Sequence, residues 1–202
     1  METVAPVIVY AESTPNPATL KYVVNRALLP DASVEYTSAD KTQGSPLAAA
    51  LFQFPFVKTV YITNNFVTIT KVEHIDWIEI MNELREFIRE FLTTGQDAVT
   101  FISEEQKAAK LPEQSKVAQD GSFTLSETES KIVEILDEYI KPAVESDGGE
   151  ISFRSFEDGV VNVVLRGSCS GCPSSTLTLK AGIEQLLKRM VPGVESVVAE
   201  NE

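Results

Sequence analysis

Residues 96–125, QDAVTFISEEQKAAKLPEQSKVAQDGSFTL, decide how the rest of this chain can fold. Their later part is dominated by Lys, Glu, Gln and Ala, with one proline, Pro112. That composition buries too little apolar surface to offset the entropy of ordering it, so it reads as a flexible linker. A weak amphipathic helix is expected near Glu104–Lys110. Two segments remain, 1–95 and 126–202, each densely patterned and each short enough to form one small core. No internal repeat relates them. The expected fold class is α+β: two small α/β-layer domains joined by a polar linker.

In the first segment, Thr19–Asn25 and Ser33–Thr37 have strand composition. Ser45-Pro46 opens a short helix through Phe52, with Ser45 at the N-cap and Pro46 in the first turn. Val57–Ile62 and Phe66–Thr70 form a hairpin, because Asn64-Asn65 tolerates the positive φ of a tight turn. From Asp76, Trp77, Ile80, Met81, Leu84, Phe87, Ile88, Phe91 and Leu92 follow helical spacing and stop before Gly95. Those aromatics read as core. His74 is the only histidine, and with no second His or Cys nearby it reads as structural or surface.

The second segment predicts the order α-β-β-α-β. Ser126-x-x-Glu129 is a capping box, and the helix it opens should bury Ile132, Val133, Leu136, Tyr139 and Ile140. Pro142 should kink that helix and Asp147-Gly148-Gly149 should end it. Ile151–Phe156 and Val160–Arg166 alternate as an antiparallel pair around Glu157-Asp158-Gly159, with Val161, Val163 and Leu165 on one face. A helix from Pro173 or Ser174 to Met190 should bury Leu177, Ile183, Leu186 and Leu187. Val194–Ala199 then supplies a final strand.

The formal net charge is −13. Such a surface repels phosphate backbones and anionic lipid, which argues against nucleic acid or a membrane as partner. No apolar run approaches the ~18 residues of a membrane span. The start, METVAPVIVYAESTPNP, has neither the basic n-region and apolar stretch of a secretory signal nor the Arg-rich character of a transit peptide. The expected address is the cytoplasm of a bacterium, where thiols stay reduced. No set of side chains forms a catalytic base and nucleophile, so the protein is expected not to be an enzyme.

The chain has two cysteines, Cys169 and Cys172, in GSCSGCPSS. Zinc sites and [4Fe–4S] clusters normally take four protein ligands, so one chain supplies half a set. Either the pair is a dithiol/disulfide switch, or two chains share a metal centre. Gly167 before the pair and Gly171 within it let the backbone curl, and Pro173 starts a helix directly after it. This places Cys172 just ahead of the unpaired N–H groups of the helix start, which favour anions, so a thiolate there should have a lowered pKa. A thioredoxin-type redox site expects a tryptophan beside the pair and a βαβ context; Trp77 is remote and the preceding strands read as antiparallel. Zinc within one chain fails on ligand count; zinc bridging two chains stays open.

Ile135-Leu136-Asp137-Glu138, Lys141-Pro142, Asp147-Gly148-Gly149, the run Val163-x-Leu165-x-Gly167-x-Cys169-x-Gly171-Cys172-Pro173-Ser174-Ser175, Leu179-Lys180-x-Gly182-Ile183-Glu184 and Val191-Pro192 closely resemble the NifU C-terminal domain. Thr14-Pro15-Asn16-Pro17, Leu20-Lys21, Ser45-Pro46-Leu47-Ala48, Leu51-Phe52 and Val67-Thr68-Ile69-Thr70-Lys71 with Trp77 resemble the domain that precedes it in Nfu-type scaffold proteins. The resemblance implies a carrier that holds a [4Fe–4S] cluster between two subunits through Cys169 and Cys172 of each. It would be a homodimer when cluster-bound, receive clusters from upstream cluster-assembly proteins and deliver them to apo iron–sulfur proteins. The first domain, 1–95, has no cysteine and is assigned to docking. The extra cysteine-bearing domains of nitrogen-fixation NifU proteins have no counterpart here, and Gln53-Phe54-Pro55-Phe56 stands where an acidic-Gly pair is expected.

Overall fold

The structure is a computed structural model that describes residues 6–103, 116–117, 123–124, 126–170 and 173–201. The chain separates into two compact units, with the boundary between Glu104 and Glu105. The expected helix near Glu104–Lys110 lies outside the described residues.

The first unit is built on a five-stranded antiparallel sheet of β1 (Val9–Ser13), β2 (Thr19–Val24), β3 (Leu29–Tyr36), β4 (Val57–Asn64) and β5 (Phe66–Lys71). Their spatial order is β1-β2-β5-β4-β3. The β4–β5 hairpin turns at Asn64, whose φ is +35°, as the Asn pair predicts. Alternation sends Tyr22, Val24, Val60, Ile62, Val67 and Ile69 to one face. There they meet α1 (Pro46–Leu51) and α2 (Trp77–Thr93), which buries Ile80, Leu84, Ile88 and Leu92, one per turn. The Trp77 indole N–H donates to the Pro17 carbonyl at 3.0 Å, which tethers the Thr14–Pro17 turn to the start of α2. His74 is exposed, in line with its reading as a surface residue.

Two features of this unit differ from the sequence reading. Strand β1 is an edge strand with most of its residues exposed, so it carries no alternating signature to find it by. Ala98, which composition assigns to the linker, is 3% exposed and belongs to the first core. Its carbonyl accepts from the Ser45 hydroxyl at 2.8 Å and from the Leu47 N–H, while the Thr100 N–H donates to the Gly44 carbonyl. The polar average of 96–125 hides this apolar opening. Further along the same stretch, β6 (Lys116–Val117) pairs antiparallel with β7 (Phe123–Thr124). The Asp120-Gly121 dipeptide between them is a hairpin signal that composition alone passes over.

After the β6–β7 pair, which belongs to the second unit, that unit follows the expected α-β-β-α-β order from Ser126 onward. Helix α3 (Glu127–Ile135) begins with the capping box: the Ser126 N–H donates to the Glu129 carboxylate at 2.7 Å, and the Glu129 N–H donates to the Ser126 hydroxyl at 3.2 Å. A π turn, Leu136–Ile140, follows, closed by the Lys141 N–H donating five residues back to the Leu136 carbonyl. Helix α4 (Lys141–Ser146) then has Pro142 in its first turn. The wide turn accommodates a residue that cannot donate and whose ring would crowd the carbonyl before it. It also shifts the helical phase. Tyr139, expected in the buried stripe, is 51% exposed, whereas Ile132, Ile135 and Leu136 are buried.

Strands β8 (Gly149–Glu157) and β9 (Val160–Gly167) form the antiparallel pair, and β10 (Ser196–Asn201) joins β9 in parallel through the crossover helix α5 (Pro173–Met190). The sheet order is β10-β9-β8. Val161, Val163 and Leu165 are buried, against Ile183 and Leu187 of α5 and Ile132 and Leu136 of the first helical segment. Leu177, expected in that core, is 68% exposed. It lies six residues from Ile183, well off the face that Ile183 and Leu187 turn to the sheet.

Candidate functional site

The cysteine loop leaves the end of β9. Gly167 has φ +66°, a left-handed conformation that lets the chain reverse directly after the last strand residue. Facing it across the β8–β9 ladder is Gly149, the first residue of β8. The Asp147–Gly149 turn that ends α4, with Gly148 at φ +80°, therefore lies beside the loop.

Three hydrogen bonds tie the two together or stiffen the loop. The Ser168 N–H donates to the Gly148 carbonyl at 3.2 Å, and the Ser168 hydroxyl donates to the Asp147 carbonyl. The Ser170 hydroxyl donates back to the Gly167 carbonyl at 2.8 Å. The short hydroxyl side chains of Ser168 and Ser170 thus serve as backbone clamps.

Cys169 is 8% exposed and belongs to the second hydrophobic core. Its Sγ lies 3.8 Å from the Ser168 hydroxyl. Burial pushes the Cys169 thiol above its ordinary value; the Ser168 hydrogen bond opposes this and the nearby Asp147 carboxylate adds to it. At Cys169 desolvation outweighs the other contributions; the lowered thiolate pKa expected at the helix start concerns Cys172 which, with Gly171, lies outside the described residues. Among the described residues no group of three His, Cys, Asp or Glu side chains could hold a metal ion.

Glu150 and Arg166, paired across the β8–β9 ladder next to the loop, form an ion pair at 3.6 Å with both side chains largely buried. Sequence reading passed over both. The signal was available: opposite charges facing each other in a hairpin register that the alternation already specified.

Comparison with known proteins follows the same division. Residues 9–95 match the family described as scaffold protein Nfu/NifU N terminal, and residues 132–198 match the NifU-like domain. The human NFU1 iron-sulfur cluster scaffold homolog, mitochondrial, is 34% identical over 190 residues, covering 94% of this chain and 70% of that protein. NifU-like protein 4, mitochondrial, of Arabidopsis thaliana is 34% identical over 194 residues, covering 95% of this chain and 65% of that one. The NFU1 homolog of Drosophila grimshawi, also mitochondrial by name, is 36% identical over 94% of this chain and 60% of its own length. This chain thus spans between 60% and 70% of these relatives. It belongs to the Nfu/NifU scaffold-protein family, with an Nfu N-terminal domain followed by a NifU-like domain.

One expectation is overturned. A bacterial cytoplasmic address was read from the composition of the first residues, yet these relatives are mitochondrial proteins by name, from animals and a plant.

Proposed function

We propose that this protein is an iron–sulfur cluster carrier that binds a [4Fe–4S] cluster between two copies of the chain and hands it to apo-proteins. Cys169 and Cys172 of each copy supply the four thiolates. The observation that carries the reading is the half set of ligands: a member of a scaffold family has two cysteines, one of them held in a loop braced by the Asp147–Gly149 turn. Four thiolates are the ordinary complement of a four-iron cluster. Transfer would be ligand exchange, an acceptor thiolate replacing one carrier thiolate at a time, with separable half-sites giving it access. No step needs a catalytic acid or base. The cysteine-free first unit serves docking of cluster donors or recipients. The mitochondrial names of the relatives support an organelle as the place where this happens.

The test is anaerobic reconstitution with ferrous iron and sulfide, followed by iron counting, Mössbauer spectroscopy and sedimentation. The expected result is about two irons per chain in a dimer, lost in Cys169→Ala and Cys172→Ala. Iron unaffected by both substitutions, zinc in anaerobically purified protein, or a reversible disulfide with exchange activity and no iron would each overturn the reading.

A further inference from the structure

We propose that Gly149 is a positioning residue for Cys169: its missing side chain is the space in which the thiol is set. This rests on the reading of Cys169 as a cluster ligand. Of the two adjacent glycines, Gly148 has a positive φ and answers a conformational need; Gly149 does not share that conformation and answers a need for room. A Cβ built at Gly149 would lie 2.7 Å from the Cys169 Sγ, 3.2 Å from its Cβ and 2.9 Å from the Arg166 carbonyl oxygen. Real Cβ atoms do not approach other atoms so closely, so something would have to shift.

The Arg166 carbonyl cannot give way easily, since it belongs to the β8–β9 ladder. The loop backbone is pinned on the Asp147 and Gly148 carbonyls through Ser168. The freest neighbour is therefore the Cys169 side chain, which turns about one bond. A methyl group at 149 drives the Sγ out of its place beside the Ser168 hydroxyl, and its approach to the Arg166 carbonyl strains the start of β8 as well. Gly149 acts through the thiol, and its effect resembles that of the outer groups that orient metal ligands.

The test uses the full chain with Gly149→Ala. After reconstitution, iron should be lost to a ferrous chelator roughly 10–100-fold faster than from the parent, the range for outer-shell substitutions at metal sites. In the apo-protein, with Cys172→Ala in both arms so that one thiol is read, iodoacetamide should alkylate Cys169 at a changed rate while far-UV circular dichroism is kept. A thermal double-mutant cycle isolates the contact: Gly149→Ala should lower the melting midpoint less in a Cys169→Ala background than in the parent. Part of the loss remains in both backgrounds, because the approach to the Arg166 carbonyl does not involve the thiol; the cycle reads the part that does. Equal midpoint losses in both backgrounds, or parental chelation and alkylation rates, would overturn the proposal. Iron retained in Cys169→Ala itself would instead refute the ligand assignment, leaving the alkylation and thermal arms to judge the contact.

Discussion

The long helix of the first unit and the interrupted helix of the second solve different problems with the same chemistry. Helix α2 runs seventeen residues in one phase, burying Ile80, Leu84, Ile88 and Leu92 in register against the sheet. The helical segment from Glu127 to Ser146 breaks phase at a π turn and at Pro142, sheds Tyr139 to the surface, and ends in the Asp147–Gly149 turn that braces the cysteine loop. The regular helix maximises burial, whereas the irregular one spends some of its stripe on aiming its C-terminal turn. Helical irregularities commonly mark such places.

The largest effect tests whether the two units are energetically separate. Leu84→Ala, fully buried in α2, should cost about 2–5 kcal/mol in the first unit. Denaturation followed by Trp77 fluorescence should report it, while Cys169 alkylation stays unchanged. A change in thiol reactivity would break the comparison. Next, Ser126→Ala removes the capping box and should cost the second unit about 1 kcal/mol. Hydrogen exchange should place that loss in α3 and leave α2 as it was.

A smaller effect depends on pH. The Cys169 thiol is raised by burial, so the unfolded chain ionises first. Its contribution to stability is complete below the ordinary thiol value of about 8.5 and is lost as pH rises through the higher folded value. The melting midpoint of apo-protein should fall above that pH, and less so in Cys169→Ala; identical pH profiles would show that this thiol is not the cause. Smallest of all, Leu177→Ser at an exposed position of α5 should leave apo stability within about 0.5 kcal/mol. A larger loss in thermal melts would mean that Leu177 is covered in solution.

Much of this was open to sequence reading. The strand composition of β2, the β4–β5 hairpin, the alternation of β8 and β9, the Ser45 and Ser126 caps and the one-per-turn stripe of α2 are local patterns, and these elements appear where the patterns place them. What escaped was non-local or averaged away. Strand β1 was passed over although Val7-Ile8-Val9-Tyr10 has strand composition; its place at the sheet edge beside β2 is a matter of non-local pairing. Ala98 is buried by Ser45 and Leu47, some fifty residues earlier. Tyr139 and Leu177 were misplaced because a periodic count assumes constant phase and a uniform apolar face.

By itself, the amino-acid sequence determined that two small α/β layers would form and that one chain holds only two thiols, since both follow from periodicity and counting. Tertiary structure alone decided that Cys169 sits in the core with a raised pKa, that β10 joins β9 in parallel, and that the Cys169 sulfur lies where a Cβ at position 149 would stand. Those outcomes depend on which atoms meet across distant segments. Local pattern limits such meetings, but only the packed chain selects among them.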